Sequence, residues 1–148
     1  MADRITPSRK SPAEILADLY NGHNEALLSG TEKGKKYLQK FYERNTSLPN
    51  AVKFFLYDLL VEDTYQASDL ETCHAAVAEA LDYLPTAQTD MLQCFREYTP
   101  SIRLFERGIA LAIDEGELEK ALSLCQAAIA LGLGRVYEAK RASVERMM

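Results

Sequence analysis

The stretch from Ile102 to Leu133 constrains this chain most, because it spells out one complete helical hairpin. Helical periodicity runs from Ile102-Arg103-Leu104-Phe105 to Ile113, breaks at Asp114-Glu115-Gly116, and resumes from Leu118 to Leu131. In the second half, Leu118, Ala121, Leu122, Cys125, Ala128 and Ile129 recur at the spacing of one amphipathic helix face. The small residues on that stripe let a partner helix come close. A chain that commits this much of itself to a tight hairpin is expected to build the rest the same way.

The remaining pattern agrees. No stretch alternates with period two for long enough to make a strand. Ser11-Pro12-Ala13-Glu14 has the form of a capping box with proline at the first helical position. The helix it opens has Ile15, Leu16, Leu19, Tyr20, Ala26 and Leu27 on its apolar face and ends at Gly30. A second helix carries Tyr37, Leu38, Phe41 and Tyr42, all expected on the core side, to about Asn45. The third, about 51 to 66, is apolar nearly all round, with Phe54, Phe55, Leu59, Leu60 and Val61 among its residues, and is expected at the centre. Asp63 is expected on an exposed side of it. Ser68-Asp69-Leu70-Glu71 reads as a second capping box, opening a helix with Leu70, Cys73, Val77, Leu81 and Leu84 inward that Pro85 stops. A shorter helix from Thr89 to Tyr98 follows, and after the hairpin a last one from Arg135 to about Met147. The expectation is an all-α fold of seven or eight short antiparallel helices, closed as a bundle or stacked as a short solenoid.

Composition is that of one ordinary domain: 148 residues, 47% apolar and 26% charged. Residues 1–10, basic but without an apolar run, read as a loose tail rather than a secretory signal, leaving 11–148 as a single helical domain. Uncharged apolar runs are far too short for a bilayer span. Cys73, Cys94 and Cys125 form no CxxC and make an odd count, which argues for reduced, structural thiols and a cytoplasmic setting.

The hairpin 102–133 resembles a tetratricopeptide-type repeat. Gly116 stands at the turn, Ala121 early in the second helix and Ala128 seven residues on, although Leu133 stands where the family often has proline. Residues 54–85 give a fainter likeness through Ala80, Leu81 and Pro85. The likeness covers less than half of the chain. It implies scaffolding or the recognition of a peptide or domain in a groove lined by the first helix of each hairpin, and it implies no catalysis.

Charge is unevenly distributed. From Phe54 to Phe95 there is no Lys or Arg, but there are Asp58, Glu62, Asp63, Asp69, Glu71, Glu79, Asp82 and Asp90. Just before that segment come Lys33, Lys35, Lys36, Lys40, Arg44 and Lys53. Solvated faces of adjacent helices attracting one another would account for this, and so would an acidic surface that steers a basic partner. Asp58, Glu62 and Tyr65 recur at i, i+4, i+7 and share a face, where carboxylates and a phenol could meet Lys or Arg of a ligand. Arg103, Glu106 and Arg107 on the neighbouring hairpin would set the ligand's register.

Catalytic and cofactor signals are thin. Glu71-Thr-Cys-His74 is half of a di-metal carboxylate motif, but His23 has Tyr20 where the second half needs Glu, so no metal or cofactor is expected. No nucleophile elbow or phosphate loop is present. A net charge of −5 opposes nucleic-acid binding by the short basic segment. The expected function is non-enzymatic: a protein–protein interaction module that takes a basic or amphipathic protein segment and engages neither nucleic acid nor membrane. The alternative is a structural or self-associating subunit, a homo-oligomer among the possibilities, or a small acidic protein that neutralises a basic partner.

Overall fold

The computed structural model describes residues 10–45, 47–94 and 101–148, with the backbone alone for 88–94. Among them are seven helices and no strand: α1 (Pro12–Leu27), α2 (Thr31–Arg44), α3 (Asn50–Gln66), α4 (Leu70–Cys94), α5 (Leu104–Asp114), α6 (Leu118–Ala130) and α7 (Arg135–Met147). The fold is all-α, built of short helices, as the periodicity requires. Each helix packs on the next in the chain, while α1, α3 and α5 also pack in series, with α3 in the middle. The expected tail, residues 1–10, lies outside the described residues except for Lys10.

The helix α3 is central for the reason its sequence implies. Val52, Phe54, Phe55 and Val61 are completely enclosed, against Leu16 and Leu19 of α1, Leu38 of α2, Val77 and Ala80 of α4, and Phe105 of α5 within one continuous core. Tyr57 and Leu60, one turn apart, are only partly covered, so that side of α3 remains open. The hairpin stripe is found nearly as read: Ala121, Cys125 and Ala128 are buried, joined by Leu124, while Leu118, Leu122 and Ile129 flank them. Gly108 allows the close approach there. A Cβ on it would stand 3.1 Å from Leu124 Cδ1 and 3.6 Å from Val77 Cγ1, so α5 lies tight against both α6 and α4.

Two boundaries differ from expectation. Pro85 does not stop its helix: α4 runs through it to Cys94, merging two expected helices into one. An interior proline removes a hydrogen bond and costs about 3 kcal/mol. Pro85 is exposed, so the carbonyl it deprives can turn to water, while Ala87 beyond it is fully buried and rewards continuation. The start of α4 is also capped one residue later than read. Asp69, not Ser68, receives the Thr72 N–H, at 3.4 Å. The capping box at Ser11 and Glu14 forms as expected, with reciprocal contacts of 3.2 and 2.9 Å.

Ser68 has a different task. Helices α3, α5 and α6 all end in the same left-handed turn, whose following N–H reaches back to a carbonyl five residues earlier: Asp69 to Thr64, Glu117 to Ala112, and Leu133 to Ala128. Glycine occupies the turn at Gly116 and Gly132, with φ of 74° and 73°, but at α3 the residue is Ser68 with φ 59°. A Cβ is strained there. Ser68→Gly is therefore expected to stabilise the protein by about 0.5 to 1 kcal/mol, read as a raised urea midpoint at unchanged slope. An unchanged or lowered midpoint would contradict the assignment.

Candidate partner-binding site

The residues expected to grip a partner are indeed brought together, at the seam between α3 and α5, but they grip each other. Asp58 is completely buried. Its carboxylate accepts the Arg103 N–H at 3.0 Å to each oxygen and the Leu104 N–H at 2.7 Å, so it caps the start of α5 from a distant helix. One turn on, Glu62 accepts from Arg107 Nε at 2.8 Å and Nη2 at 3.2 Å, a two-pronged pair. Arg107 lies 4.6 Å from the centroid of the Tyr65 ring, a cation–π contact. Asp58 is thereby corrected from a ligand contact to a structural cap. Arg103 contributes its backbone, its side chain remaining exposed with that of Glu106. Glu62, Tyr65 and Arg107 are engaged within the fold.

Burial pushes Asp58 up to about 7, against the pull of the Arg103 and Leu104 N–H groups that favour the anion. Burial acts on Glu62 in the same direction, but its bonds to Arg107 and Gln66 hold it below the ordinary range. The sign of the linkage for Asp58 follows. Its folded value lies above the free value of 3.8, so its contribution to stability is complete below about pH 4 and is lost as pH rises through 7. Denaturation of Asp58→Asn, which cannot ionise, should show a flatter stability profile over that window than the parent. Asp58→Ala, which removes the cap and strands buried N–H groups, should cost about 2 to 4 kcal/mol. Parallel pH profiles for the parent and Asp58→Asn would show that this carboxyl does not titrate there.

On the opposite flank α3 makes a second polar tie. Asp63, expected on an exposed side, is buried and accepts from His23 Nε2 of α1 at 2.6 Å. The other ring nitrogen, Nδ1, is buried without a hydrogen-bond partner among the described residues. Gly34 of α2 stands directly over the pair: a Cβ there would lie 3.0 Å from Asp63 Oδ2, 3.2 Å from His23 Nε2 and 2.6 Å from Leu27 Cδ2. Three helices thus meet at one buried pair. Removing one partner of such a pair leaves the other unsatisfied, so Asp63→Ala should cost about 3 kcal/mol. Gly34→Ala should also destabilise, despite alanine's better helix propensity. A neutral thermal scan for both variants would contradict this packing.

The open side of α3 forms an apolar cleft with aromatic residues in its walls. It lies between α2 and α4, holds about 290 Å³, and is lined by Leu38, Gln39, Tyr42, Leu56, Tyr57 and Leu60, with Lys35 and Thr72 at one end. Lys35 bridges to Asp69 and Glu32, at 3.3 Å each, which fixes that end. The lining residues Tyr42 and Tyr57 meet a third tyrosine, Tyr83 of α4, just outside the cleft. Tyr42 and Tyr57 have centroids 6.0 Å apart, edge to face, and Tyr57 stacks on Tyr83 of α4 at 5.9 Å and 13°. Tyr42, expected in the core, is instead 38% exposed on the cleft wall. Burial raises the Tyr57 phenol to about 12, with Tyr42 and the carboxylate of Glu79 adding to it. Glu79 and Asp82, both exposed on α4, act on Tyr83 in the same direction. The result is a buried apolar floor with Tyr42 and Tyr57 in its walls, next to Tyr83 and the carboxylates of α4 that act on it.

This cleft was not singled out by sequence. Its signal is faint: Tyr57 and Leu60 lie one turn apart on α3, and Tyr83 follows Glu79 and Asp82 on α4. Other polar groups have structural roles. His74 meets Glu115 at 2.8 Å across the α4 and α5–α6 ends, while its expected companion Glu71 is exposed. Among the described residues no cluster of three or more His, Cys, Asp or Glu could hold a metal ion. Cys73 and Cys125 are free and buried, and burial raises both thiols above their ordinary range; the Cys94 side chain lies outside the described residues. No helix among the described residues is long and apolar enough to cross a membrane. Comparison with protein-family models, with curated proteins and with solved structures finds no match in any of the three.

Proposed function

We propose that this protein is a non-enzymatic interaction module that takes a basic, amphipathic segment of another protein, and that the segment enters the cleft between α2 and α4. The observation that carries this reading is the cleft itself. Tyr57 and Leu60 leave apolar surface partly open above the buried Leu38 and Leu56, and the carboxylates of Glu43 in the lining and of Glu79 and Asp82, which act on the neighbouring Tyr83, are complementary to Lys and Arg. Its volume of about 290 Å³ suits one or two apolar side chains better than a whole cofactor. An amphipathic helix laid along a groove buries its apolar anchors in this way. The stacked hairpins, tetratricopeptide-like in the turn glycine and small residues of α5 and α6, fit a scaffold role. The buried thiols fit a reducing compartment such as the cytoplasm.

Asp58, Glu62, Tyr65 and Arg107, first expected to meet the partner, are engaged by the fold, whereas Tyr57 and Leu60 of the cleft stay partly open. A direct test uses a fluorescently labelled Leu/Lys helical peptide of about 18 residues, long enough to form a helix on binding. Anisotropy should show saturable binding that weakens at least tenfold, about 1.4 kcal/mol, in Glu79→Lys combined with Asp82→Lys. Helicity should not change. Reversing Glu138 and Glu145, exposed on α7, serves as the control and should do much less. Equal losses from both pairs would reduce the interaction to net charge and remove the cleft from it.

A further inference from the structure

Beside the cleft a cation already stands against the tyrosine cluster, and that cation belongs to the protein. Lys53 of α3 places its ammonium 5.5 Å from the centroid of the Tyr83 ring. The ammonium thus faces an aromatic ring. At 5.5 Å the contact is close to the outer limit of a useful cation–π interaction, about 6 Å, so the ammonium is loosely held and displaceable. By contrast Lys35, at the far end of the cleft, is engaged by two carboxylates.

From this we infer that Tyr42, Tyr57 and Tyr83 form a cation subsite, occupied by Lys53 in the free protein and by a guanidinium or ammonium of the partner in the complex. The inference rests on the cleft reading above and refines it. Three features favour an external cation over Lys53. Tyr57 stacked on Tyr83, with Tyr42 edge-on to Tyr57, gathers three rings from three helices, and Tyr83 keeps π-surface on which a cation already stands. The negative charge of Glu79 bears on Tyr57 and Tyr83, and that of Asp82 on Tyr83. A planar guanidinium stacks on an aromatic face better than an ammonium does. Spacing then specifies the partner. Tyr57 and Leu60 are one helical turn apart on α3, so a helix lying along α3 would place a Leu-type anchor among Leu38, Leu56 and Leu60 and an arginine three or four positions away over the tyrosines.

The experiment compares two versions of the helical peptide, identical except that one carries arginine and the other neutral citrulline one turn from its central leucine. The parent protein and Tyr83→Phe, which keeps the ring, should prefer the arginine peptide by roughly three- to tenfold. Tyr83→Leu, which keeps apolar bulk without a π-face, should lose most of that preference. Lys53→Met, which removes the internal occupant, should bind the arginine peptide roughly threefold more tightly. Equal affinity for the two peptides, or a preference undiminished in Tyr83→Leu, overturns the cation subsite and leaves the cleft reading standing. Weaker binding by Lys53→Met overturns Lys53 as occupant. Failure of the parent to bind either peptide overturns both the subsite and the cleft.

Discussion

The buried carboxylate of Asp58 is the interaction on which the arrangement of the helices depends. A helix start leaves several N–H groups without partners, and those of α5 point into the protein rather than into water. No side chain at the start of α5 itself caps them. The acceptor comes from the middle of α3, and Leu104, one of the residues it holds, is itself fully buried. Glu62 and Arg107 extend the same seam by one turn, and His23 with Asp63 does the corresponding work between α3 and α1. Thus α3 is fixed to both of its neighbours in the row by polar contacts with demanding geometry. The apolar core around it supplies most of the driving force but little of the register.

The same division explains which part of α3 is left uncovered. One face of α3 is spent on α1, another on α5, and a third lies against α4. What is left is the strip between α2 and α4, where Tyr57 and Leu60 lie partly open. Aromatic side chains suit such a strip, because they cover apolar floor while keeping a polar tip at the rim. The acidic α4 and the absence of Lys and Arg between Phe54 and Phe95 then bear on this strip, through Glu79 and Asp82, rather than on the seam with α5.

Much of the helical framework could be read from residue order. The stripe at Ala121, Cys125 and Ala128 is local information, as is the box at Ser11 and Glu14, and both appear as expected. Pro85 could not be read locally, because its helix continues for the sake of Ala87, whose burial is a tertiary fact. The acids of α3 were misread for a reason the sequence itself contains. A helix that is apolar nearly all round has no wholly solvated face left for Asp58 and Asp63, so such acids must find partners inside. Which partners could not be seen, because the N–H groups of Arg103 and Leu104 and the ring of His23 lie at least forty residues away along the chain. The cleft was hidden for a similar reason: Tyr42, Tyr57 and Tyr83 are separate features until three helices converge.

The remote cap also limits how this chain can be divided. In a regular repeat array, units make similar contacts with their neighbours, and lengthening or shortening the array leaves each remaining unit intact. Here the segment from α5 to α7 has the outline of such a unit, yet the acceptor for its first N–H groups is carried by the preceding hairpin. Excised or grafted elsewhere, it would begin with a frayed turn at the point where Leu104 has to enter the core. Recombination at the natural-looking boundary near residue 101 would therefore be disfavoured unless the graft also supplied a carboxylate in the place of Asp58.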